Sequence, residues 1–321
     1  MTVLVTGAAG FLGTRVIKAL LANTGGGPPV SRIIAADIIA CPIDNLRVES
    51  RAGTIADPAF IRSIVEPDVD VVFHLAAVLS GQSETEFDLG LQVNLDATRT
   101  LLEACRALRK PPRFVFSSTV AVFGADLPDG VPEDSVLHPL SSYGTAKAMT
   151  ELLVREYSRR GFVDGIAVRL ATVTVRPGKP NSALSSFVSG IIREPLAGID
   201  AVCPVPLDQA LWVTSPAVVI GNLIHAARVP AAALEGNVTV SLPGLSVTPE
   251  QMLASLEHVA GREARARVRC EIDPSVARIV ATWPGAIDDS RARRLGFTSD
   301  RDVDDIVRQY MFEPQAAADP F

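Results

Sequence analysis

The feature that most constrains the fold is a glycine-rich turn between the first predicted strand and the first predicted helix. The apolar run Thr2–Val5 leads into Thr-Gly-Ala-Ala-Gly-Phe-Leu-Gly at positions 6–13. Gly7 allows a tight turn, Gly10 lets a phosphate approach the backbone, and Gly13 allows the helix to pack closely on the sheet. Phosphates would bind at the helix N-terminus, where free N–H groups and the helix dipole favour anions. The turn predicts a dinucleotide site; the alternative is a plain strand–helix turn.

Predicted strands and helices alternate over the first half of the chain. Four of the strands are apolar at nearly every position, as expected for a parallel sheet that is buried on both faces. The alternation predicts an α/β fold, a Rossmann-type doubly wound parallel sheet. The predicted strands are Val3–Thr6, Arg32–Ala36, Arg47–Gly53, Val69–Leu75, Arg113–Ser117 and Gly165–Leu170, and the predicted helices are Phe11–Ala22, Pro58–Val65, Glu84–Leu108 and Ser141–Arg159.

After about residue 171 the pattern loosens, because prolines divide the chain into short pieces. We therefore assign residues 1–170 to a Rossmann domain that carries the predicted dinucleotide site. Residues 171–321 form mainly a smaller C-terminal substrate-binding lobe, with segments that return to the Rossmann sheet. The predicted helices of this part are Ala183–Arg193, Pro216–Arg228, Thr248–Ala260 and Asp302–Met311.

Composition excludes several classes of protein. With 321 residues, of which 48% are hydrophobic, the chain can bury a large core and is not disordered. Its net charge of −6 argues against a nucleic-acid partner, which needs a basic face. The four cysteines are far apart, so neither a zinc site nor a disulfide framework is expected. No apolar run reaches the roughly 18 residues of a membrane span. Because a strand is already predicted at Thr2–Val5, we expect no targeting signal. We expect a cytoplasmic protein without a membrane partner.

An acidic residue supports the dinucleotide site. Asp37 ends the second predicted strand, 24 residues after Gly13. A carboxylate there accepts hydrogen bonds from both ribose hydroxyls and repels a 2′-phosphate. The position therefore favours NAD over NADP; the alternative is an aspartate that caps the strand end.

A tyrosine and a lysine mark the predicted reactive centre. Tyr143 and Lys147 lie four residues apart on one helical face, and Ser141 or Ser142 caps that helix. Making a tyrosine a useful base at neutral pH costs about 4 kcal/mol. An ammonium about 4 Å away, at an effective dielectric of about 20, supplies roughly that much. The pattern is also common on helix surfaces, where it has no catalytic role.

Three hydroxyl side chains follow a buried strand upstream of this helix. Ser117, Ser118 and Thr119 end the strand that begins at Arg113. Because strand C-termini of such sheets face the cofactor crevice, Ser118 or Thr119 would hold the substrate hydroxyl beside Tyr143. A hydroxyl-rich strand exit without function is the alternative.

Taken together, the motifs resemble the extended short-chain dehydrogenase/reductases, the NAD-dependent epimerase/dehydratase family. The resemblance spans nearly the whole chain. The matching segments are 6–13, His-Leu-Ala-Ala at 74–77, Val-Asn-Leu-Asp-Ala-Thr at 93–98, Ser-Ser-Thr-Val-Ala-Val-Phe-Gly at 117–124, Tyr-x-x-x-Lys at 143–147, Val-Arg-Leu at 168–170 and Asp-Asp-Ser-Arg-Ala-Arg-Arg-Leu-Gly-Phe at 288–297.

This resemblance implies roles for individual residues. Tyr143 would accept the proton, Lys147 would bind the nicotinamide ribose and lower the tyrosine pKa, and Ser118 or Thr119 would be the third catalytic residue. Asn94 would hold a helix in position. His74 would pack beneath the cofactor, and no metal is expected. The implied cofactor-binding residues are Gly7, Gly10, Phe11, Leu12, Gly13, Asp37, Asp57, Leu75, Ala76, Ala77, Asn94, Tyr143 and Lys147, with Asp57 the weaker candidate near the adenine.

Departures from the family pattern narrow the activity. Family dehydratases carry an Asp-Glu pair where this chain has Val120 and Ala121, so dehydration is not expected. Thr172 replaces a family asparagine in a region that holds sugar diphosphates, which argues against a nucleotide-sugar substrate.

The stretch from Arg169 to Phe187 resembles a branch of the family that oxidises the 2-hydroxyl of a four-carbon sugar acid of the D-erythronate or L-threonate type. Such a substrate needs a cationic group for its carboxylate and polar partners for its hydroxyls. Arg176 is the candidate for the carboxylate, or else a surface-loop arginine. Asn181, Ser185 and Ser80 are candidates for the hydroxyls.

The prediction is therefore an NAD-dependent dehydrogenase that forms a 2-keto acid. The alternatives are a nucleotide-sugar 4-epimerase and a non-catalytic NAD-sensing regulator. The long predicted helices Glu84–Leu108 and Ser141–Arg159 have apolar faces. Members of the family that the chain resembles are often dimers, so we also expect a homodimer.

Overall fold

The computed structural model describes residues 1–24, 26–124, 126–178 and 185–312. Strands and helices alternate along most of this length. The strands are β1 (Thr2–Thr6), β2 (Arg32–Asp37), β3 (Val48–Ala52), β4 (Val69–His74), β5 (Arg113–Thr119), β6 (Asp164–Leu170), β7 (Thr172–Val173), β8 (Ala201–Cys203), β9 (Leu211–Thr214), β10 (Thr239–Ser241), β11 (Leu245–Val247) and β12 (Val268–Cys270). The helices are α1 (Phe11–Leu21), α2 (Pro58–Ile64), α3 (Ser80–Thr85), α4 (Phe87–Leu91), α5 (Ala97–Arg106), α6 (Ser142–Arg159), α7 (Ser186–Leu196), α8 (Pro216–Ala226), α9 (Pro249–Ala260), α10 (Arg262–Ala266), α11 (Pro274–Val280), α12 (Ser290–Arg294) and α13 (Val303–Phe312).

A seven-stranded sheet organises the first part of the chain. Its strand order is β10-β6-β5-β4-β1-β2-β3, and β1 pairs in parallel with both β2 and β4. Strands β1, β2 and β5 are buried along almost their whole length because helices cover both faces of the sheet. The predicted doubly wound Rossmann-type fold is confirmed. Strand β10, from the second half of the chain, forms one edge beside β6.

The register of this sheet brings the site segments to one edge. Thr6 at the end of β1 lies beside Ala36 of β2 and His74 of β4. His74 in turn lies beside Phe116, just before the hydroxyl residues that end β5. The carboxyl ends of four neighbouring strands therefore meet where an open α/β sheet binds its ligand.

The predicted single helix Glu84–Leu108 is wrong. The chain instead forms α3, α4, a π-helical turn (Gln92–Asp96) and α5. Glu86, with φ −123° and ψ 67°, interrupts the helical backbone between α3 and α4. In the π-helical turn, the carbonyl of Asn94 accepts hydrogen bonds from the hydroxyls of Thr98 and Thr150, and so binds the turn to α6. The apolar spacing continues through these breaks, so periodicity alone reads them as one helix.

Other helix ends follow the expected capping chemistry. Ser141, one of the two predicted caps, accepts a hydrogen bond from the Gly144 N–H at 3.0 Å and starts α6. Thr248 and Gln251 form a reciprocal capping box at the start of α9. The predicted helix Asp302–Met311 lies one residue further along, as α13.

The described residues divide into two compact units. The first consists of 1–122, 141–169 and 220–240, and the second of 123–140, 170–219 and 241 onward. In the second unit, β11, β9 and β7 form one small sheet and β12 and β8 another. Helices α7, α9 and α13 pack on an apolar core around Ile191, Leu256 and Ile306. The assignment of cofactor binding to 1–170 and substrate binding mainly to 171–321 stays a prediction.

The predicted helix Ala183–Arg193 begins partly outside the described ranges, and within them α7 extends to Leu196. The sequence predicted none of the strands β7 to β12 and none of the helices α10 to α12, which are short pieces without a clear period. No helix of the described ranges has both the length and the hydrophobicity that crossing a membrane requires.

Candidate active site

Close backbone packing fixes the glycine turn that follows β1. Gly7 has φ +71°, and a Cβ atom on it would lie 2.7 Å from the Ala76 nitrogen. A Cβ atom on Gly13 would lie 2.0 Å from the Gly7 carbonyl oxygen. Both contacts are too short for any side chain, so the turn and the adjoining helix require glycine at these positions.

The start of α1 offers unpaired N–H groups to a ligand. Gly10 is the N-cap residue and supplies no side-chain cap, so the N–H groups of Phe11, Leu12 and Gly13 have no intrahelical acceptor. Asp37, at the end of β2, accepts a hydrogen bond from the Ala9 N–H at 3.0 Å. A free helix N-terminus and a carboxylate on the same turn fit the diphosphate and the ribose of a dinucleotide.

The segment after β4 packs on this turn. The Leu75 N–H donates to the Thr6 carbonyl at 3.2 Å, and the Ala76 N–H lies 3.4 Å from the Thr6 hydroxyl oxygen. Ala77 follows at a half-buried position. The backbone of 75–77 therefore borders the turn, as expected for a segment that lines the cofactor.

Asn94 fixes the next residues of that segment. Its side-chain oxygen accepts from the Val78 N–H at 2.9 Å, and its amide donates to the Val78 carbonyl at 3.0 Å. Ser80, a predicted substrate residue, begins α3 two residues later and is half-buried. Asn94 thus connects the π-helical turn to the loop that precedes α3.

His74 is a buried structural residue at the end of β4. Its Nδ1 lies 2.7 Å from the Thr6 hydroxyl and its Nε2 lies 2.8 Å from the Thr98 hydroxyl. Burial, with the neighbouring charge of Lys147, lowers its pKa to about 3, so the ring is neutral. Among the residues that the structure describes, no group of His, Cys, Asp or Glu side chains is arranged to hold a metal ion.

Asp57 caps a helix. Its carboxylate accepts a hydrogen bond from the Ala59 N–H at 2.8 Å and starts α2. This contact accounts for the aspartate without a ligand, and its predicted role near the adenine stays a prediction.

Tyr143 and Lys147 occupy one face of α6, at the end of β5. Lys147 is 1% exposed, and its Nζ donates to the Ser117 carbonyl at 2.8 Å. The same nitrogen lies 5.6 Å from the centroid of the Tyr143 ring and 4.6 Å from that of Phe116. The strand end therefore holds the ammonium group beside the phenol.

Burial disfavours the charged forms of both Lys147 and Tyr143. It lowers the pKa of Lys147 to about 7, although the charge of Glu151 acts in the opposite direction. It also raises the pKa of Tyr143 to about 12. A proton-accepting Tyr143 thus needs further positive charge nearby, which a cationic nicotinamide would supply.

The hydroxyl groups of Ser118 and Thr119 have different hydrogen-bond partners. The Ser118 hydroxyl donates to the carboxylate of Glu151, and Ser118 is 2% exposed. Thr119 is half-buried, and its hydroxyl oxygen accepts from the Ala121 N–H at 3.1 Å, which leaves its proton for another acceptor. Thr119 is therefore the better placed of the two to bind a substrate.

The sequence reading missed a buried ion pair behind these residues. Arg169 of β6 donates to both carboxylate oxygens of Glu151, with its Nε at 3.0 Å from Oε1 and its Nη2 at 2.8 Å from Oε2. Glu151 follows Lys147 by four residues, which places the two on one helix face. That spacing says nothing about Arg169, which only packing brings to the carboxylate.

The predicted carboxylate-binding residue lies in the second unit. The Arg176 N–H donates to the Ser189 hydroxyl at 3.1 Å, and Arg193 donates to the Arg176 carbonyl at 2.8 Å. Burial and the positive charge of Arg193 lower the pKa of the Arg176 guanidinium. Ser185 precedes α7 at a half-buried position, and Asn181 lies outside the described residues.

Comparison with known sequences decides the family. The sequence profile of the NAD dependent epimerase/dehydratase family matches residues 3–207. The chain belongs to this family. The predicted family and the predicted NAD cofactor are confirmed, and the unpaired N–H groups beside Asp37 fit that cofactor.

Two relatives within the NAD dependent epimerase/dehydratase family are similar over nearly their whole length. The D-erythronate dehydrogenase of Cupriavidus necator is 48% identical over 317 residues, which cover 97% of this chain and 98% of the relative. The D-erythronate dehydrogenase of Haemophilus influenzae is 44% identical over 313 residues, covering 97% and 99%.

A solved structure supports the same fold. The nucleoside-diphosphate-sugar epimerase from Agrobacterium tumefaciens superposes with a TM-score of 0.93 at 40% identity, covering 98% of this chain and 94% of that one. Because members with such different described activities share the fold, the substrate has to be argued from the site.

Proposed function

We propose that this protein is an NAD-dependent dehydrogenase that oxidises the C2 hydroxyl of a small four-carbon sugar acid, of the D-erythronate or L-threonate type, to the 2-keto acid. The observation that carries the proposal is the buried Lys147 held beside Tyr143. The choice of substrate is supported by similarity over nearly the full length of the chain to two D-erythronate dehydrogenases. The reaction removes a hydride from C2 and a proton from the hydroxyl.

The cofactor is held by the first unit. The N–H groups of Phe11, Leu12 and Gly13 would bind the diphosphate. Gly10 would let it approach the backbone, and Gly7 keeps the turn packed on Ala76. Asp37 would accept hydrogen bonds from the adenosine ribose, and Lys147 would donate to the nicotinamide ribose. NAD, when bound, accepts the hydride that leaves C2. The backbone of Leu75, Ala76 and Ala77 lines the cofactor, Asn94 fixes the residues that follow, and Asp57 is the weaker candidate near the adenine.

The proton is accepted by Tyr143. Lys147 lies under the phenol ring and stabilises the phenolate electrostatically, as the nicotinamide charge does. Thr119 donates its hydroxyl proton to the substrate oxygen and so holds it toward Tyr143. Ser118 acts indirectly, because its hydroxyl is taken by Glu151. The proton taken from the substrate then leaves Tyr143 for water.

A cation in the second unit selects an acidic substrate. Arg176 lies next to Arg193, which is paired with Glu194. These three side chains carry one more positive than negative charge, which favours a carboxylate ligand. Asn181, Ser185 and Ser80 are the proposed partners for the remaining hydroxyls of the sugar acid.

The second candidate function is epimerisation of a nucleotide sugar at C4. It is favoured by the similarity of this chain to the Agrobacterium tumefaciens structure, which is described as a nucleoside-diphosphate-sugar epimerase. Thr172, in place of the family asparagine, and the greater similarity to the two D-erythronate dehydrogenases argue against it. A regulator that only senses NAD is disfavoured because Tyr143 and Lys147 are both present.

The experiment that separates these functions is a steady-state assay of NADH formation. The purified protein is incubated with NAD⁺ and D-erythronate, L-threonate or a related hydroxy acid, and in parallel with a UDP-hexose. We expect NADH with at least one four-carbon acid and no conversion of the UDP-hexose. Conversion of the UDP-hexose alone would support the epimerase, and NAD binding without any turnover would support the regulator.

The proposal includes a cytoplasmic homodimer. Two large apolar side chains, Phe87 on α4 and Leu152 on α6, are more than half exposed, which supports an interface formed by these helices. Light scattering at assay concentration should give twice the monomer mass. A monomer mass would reject the dimer and leave the proposed reaction unaffected.

A further inference from the structure

Tyr143, Lys147 and Glu151 occupy successive turns on one face of α6. Residues four apart on a helix are neighbours, so Lys147 has the phenol on one side and the carboxylate on the other. Lys147 is 1% exposed and Glu151 is 3% exposed. A charge at such depth is stable only when other charges or hydrogen bonds compensate for the lost water.

The Glu151 carboxylate is held in one orientation by two other elements. Arg169 of β6 binds both of its oxygens, and the Ser118 hydroxyl at the end of β5 donates to Oε1. Arg169 is itself 5% exposed, so the ion pair is shielded from water. This arrangement fixes a negative charge one helical turn from the Lys147 ammonium group.

The other titratable groups around Lys147 do not replace that charge. Tyr143 is neutral at pH 7, since burial raises its pKa to about 12, and His74 of β4 is neutral, since burial lowers its pKa to about 3. On the side of β5, the Lys147 ammonium group donates a hydrogen bond to the Ser117 carbonyl. Glu84 of α3 accepts from the Ser142 N–H at the start of α6, on the far side of Tyr143.

We infer that Glu151, held by Arg169 and Ser118, is a positioning residue that favours the protonated form of Lys147 beside Tyr143. A neutral amine at this place could not stabilise the phenolate, so the carboxylate acts on the reaction through Lys147. In agreement, the charge of Glu151 raises the lysine pKa, which burial by itself would leave lower. The inference rests on the proposed role of Lys147, but it can be tested without any substrate.

The test is a titration of the lysines by NMR in the cofactor-free protein. The chain has four lysines, Lys18, Lys110, Lys147 and Lys179, so labelling lysine with ¹³C at Cε gives few signals. In the wild type, one signal should titrate near pH 7 and be lost in Lys147→Met. In Glu151→Gln the midpoint of that signal should fall by about one pH unit, which is about tenfold weaker proton binding.

Two further variants serve as controls. Glu156→Gln removes an equal charge from an exposed position on the same helix, where Glu156 pairs with Arg159, and should leave the Lys147 midpoint unchanged. Glu151→Asp retains the carboxylate and should titrate at higher pH than Glu151→Gln. If Glu151→Gln does not fold, the double variant E151Q/R169Q, which removes one charge of each sign, should still titrate below the wild type.

A purely structural role for the ion pair would lower the melting temperature of Glu151→Gln without moving the Lys147 midpoint. An unchanged midpoint in whichever of Glu151→Gln and E151Q/R169Q folds would overturn the inference. Since the titration uses neither NAD nor a sugar acid, that result is distinguishable from failure to oxidise D-erythronate. In the active enzyme, Glu151→Gln should lower kcat, with a loss that grows as the pH rises, and leave the substrate KM almost unchanged.

Discussion

Lys147 and Arg176 are both cations that burial disfavours, yet their surroundings differ. Lys147 has a fixed carboxylate one helical turn away, and Glu151 raises its pKa. Arg176 has a second arginine nearby, and Arg193 lowers its pKa. The surroundings of Lys147 favour its protonated form more than burial alone would, because the Glu151 carboxylate compensates the charge inside the protein. Around Arg176, Glu194 pairs with Arg193 and leaves one positive charge in excess among the three side chains, which favours an anionic ligand. The two surroundings thus distinguish a group for proton chemistry from a group for substrate recognition.

Removing the phenol hydroxyl should have the largest effect. Tyr143→Phe takes away the proton acceptor, so kcat for D-erythronate oxidation should fall by about 10²- to 10⁴-fold. Steady-state NADH formation measures this loss. NAD binding, followed by fluorescence, should remain close to that of the wild type. An undiminished kcat in this variant would show that Tyr143 is not the proton acceptor. Lys147 would then have no role in proton chemistry that distinguishes it from Arg176.

Truncating Arg176 should affect binding of the substrate more than the chemical step. Loss of a hydrogen bond between charged groups corresponds to about 1.5–3 kcal/mol, so Arg176→Ala should raise KM for the sugar acid about 10- to 150-fold. The matched control is Arg301→Ala, which removes an exposed arginine of the same unit that pairs with Asp302 and Asp305. If both variants behave like the wild type, Arg176 is a surface-loop residue and another group binds the carboxylate.

A carboxylate in the first unit should act directly on the cofactor, in contrast to Glu151. Asp37→Asn keeps an acceptor for the Ala9 N–H but removes the negative charge. We expect the dissociation constant of NAD to rise about tenfold, and the preference for NAD over NADP to shrink because repulsion of a 2′-phosphate is lost. Calorimetry with both cofactors measures the change. An unaltered preference would contradict the role of Asp37.

The buried Lys147 should also make the stability of the protein depend slightly on pH. Burial lowers the pKa of Lys147 in the folded protein to about 7, whereas the pKa of a lysine in the unfolded chain is about 10.5. The unfolded state therefore binds more protons between these values, and the stability of the wild type should rise with pH in this window. Lys147→Met lacks this contribution, so the difference in melting temperature should change by about a few degrees from pH 7 to 9 in favour of the wild type. A constant difference would show that Lys147 has an ordinary pKa.

The sequence predicts the fold well where local patterns and chemistry agree. The buried strands, the glycine turn and the Ser141 cap all follow from short-range signals, and the structure places them as expected. The interruption at Glu86 and the π-helical turn at Asn94 escape prediction because the apolar spacing continues through them.

The ion pair behind the site is missed for a different reason. Glu151 and Arg169 come from a helix and a strand 18 residues apart, and only packing brings their charges together. Likewise, the choice between Ser118 and Thr119 depends on which way each side chain turns at the end of β5. Such three-dimensional details have no period or motif in the sequence.

The most direct test of the proposed chemistry follows the hydrogen on C2. The enzyme is given NAD⁺ and D-erythronate carrying deuterium at C2, and the reduced cofactor is examined by mass spectrometry. Transfer of hydride from that carbon predicts one deuterium per reduced nicotinamide and a slower rate than with unlabelled substrate. Unlabelled reduced cofactor, or deuterium released to water, would show that C2 is not the carbon that is oxidised.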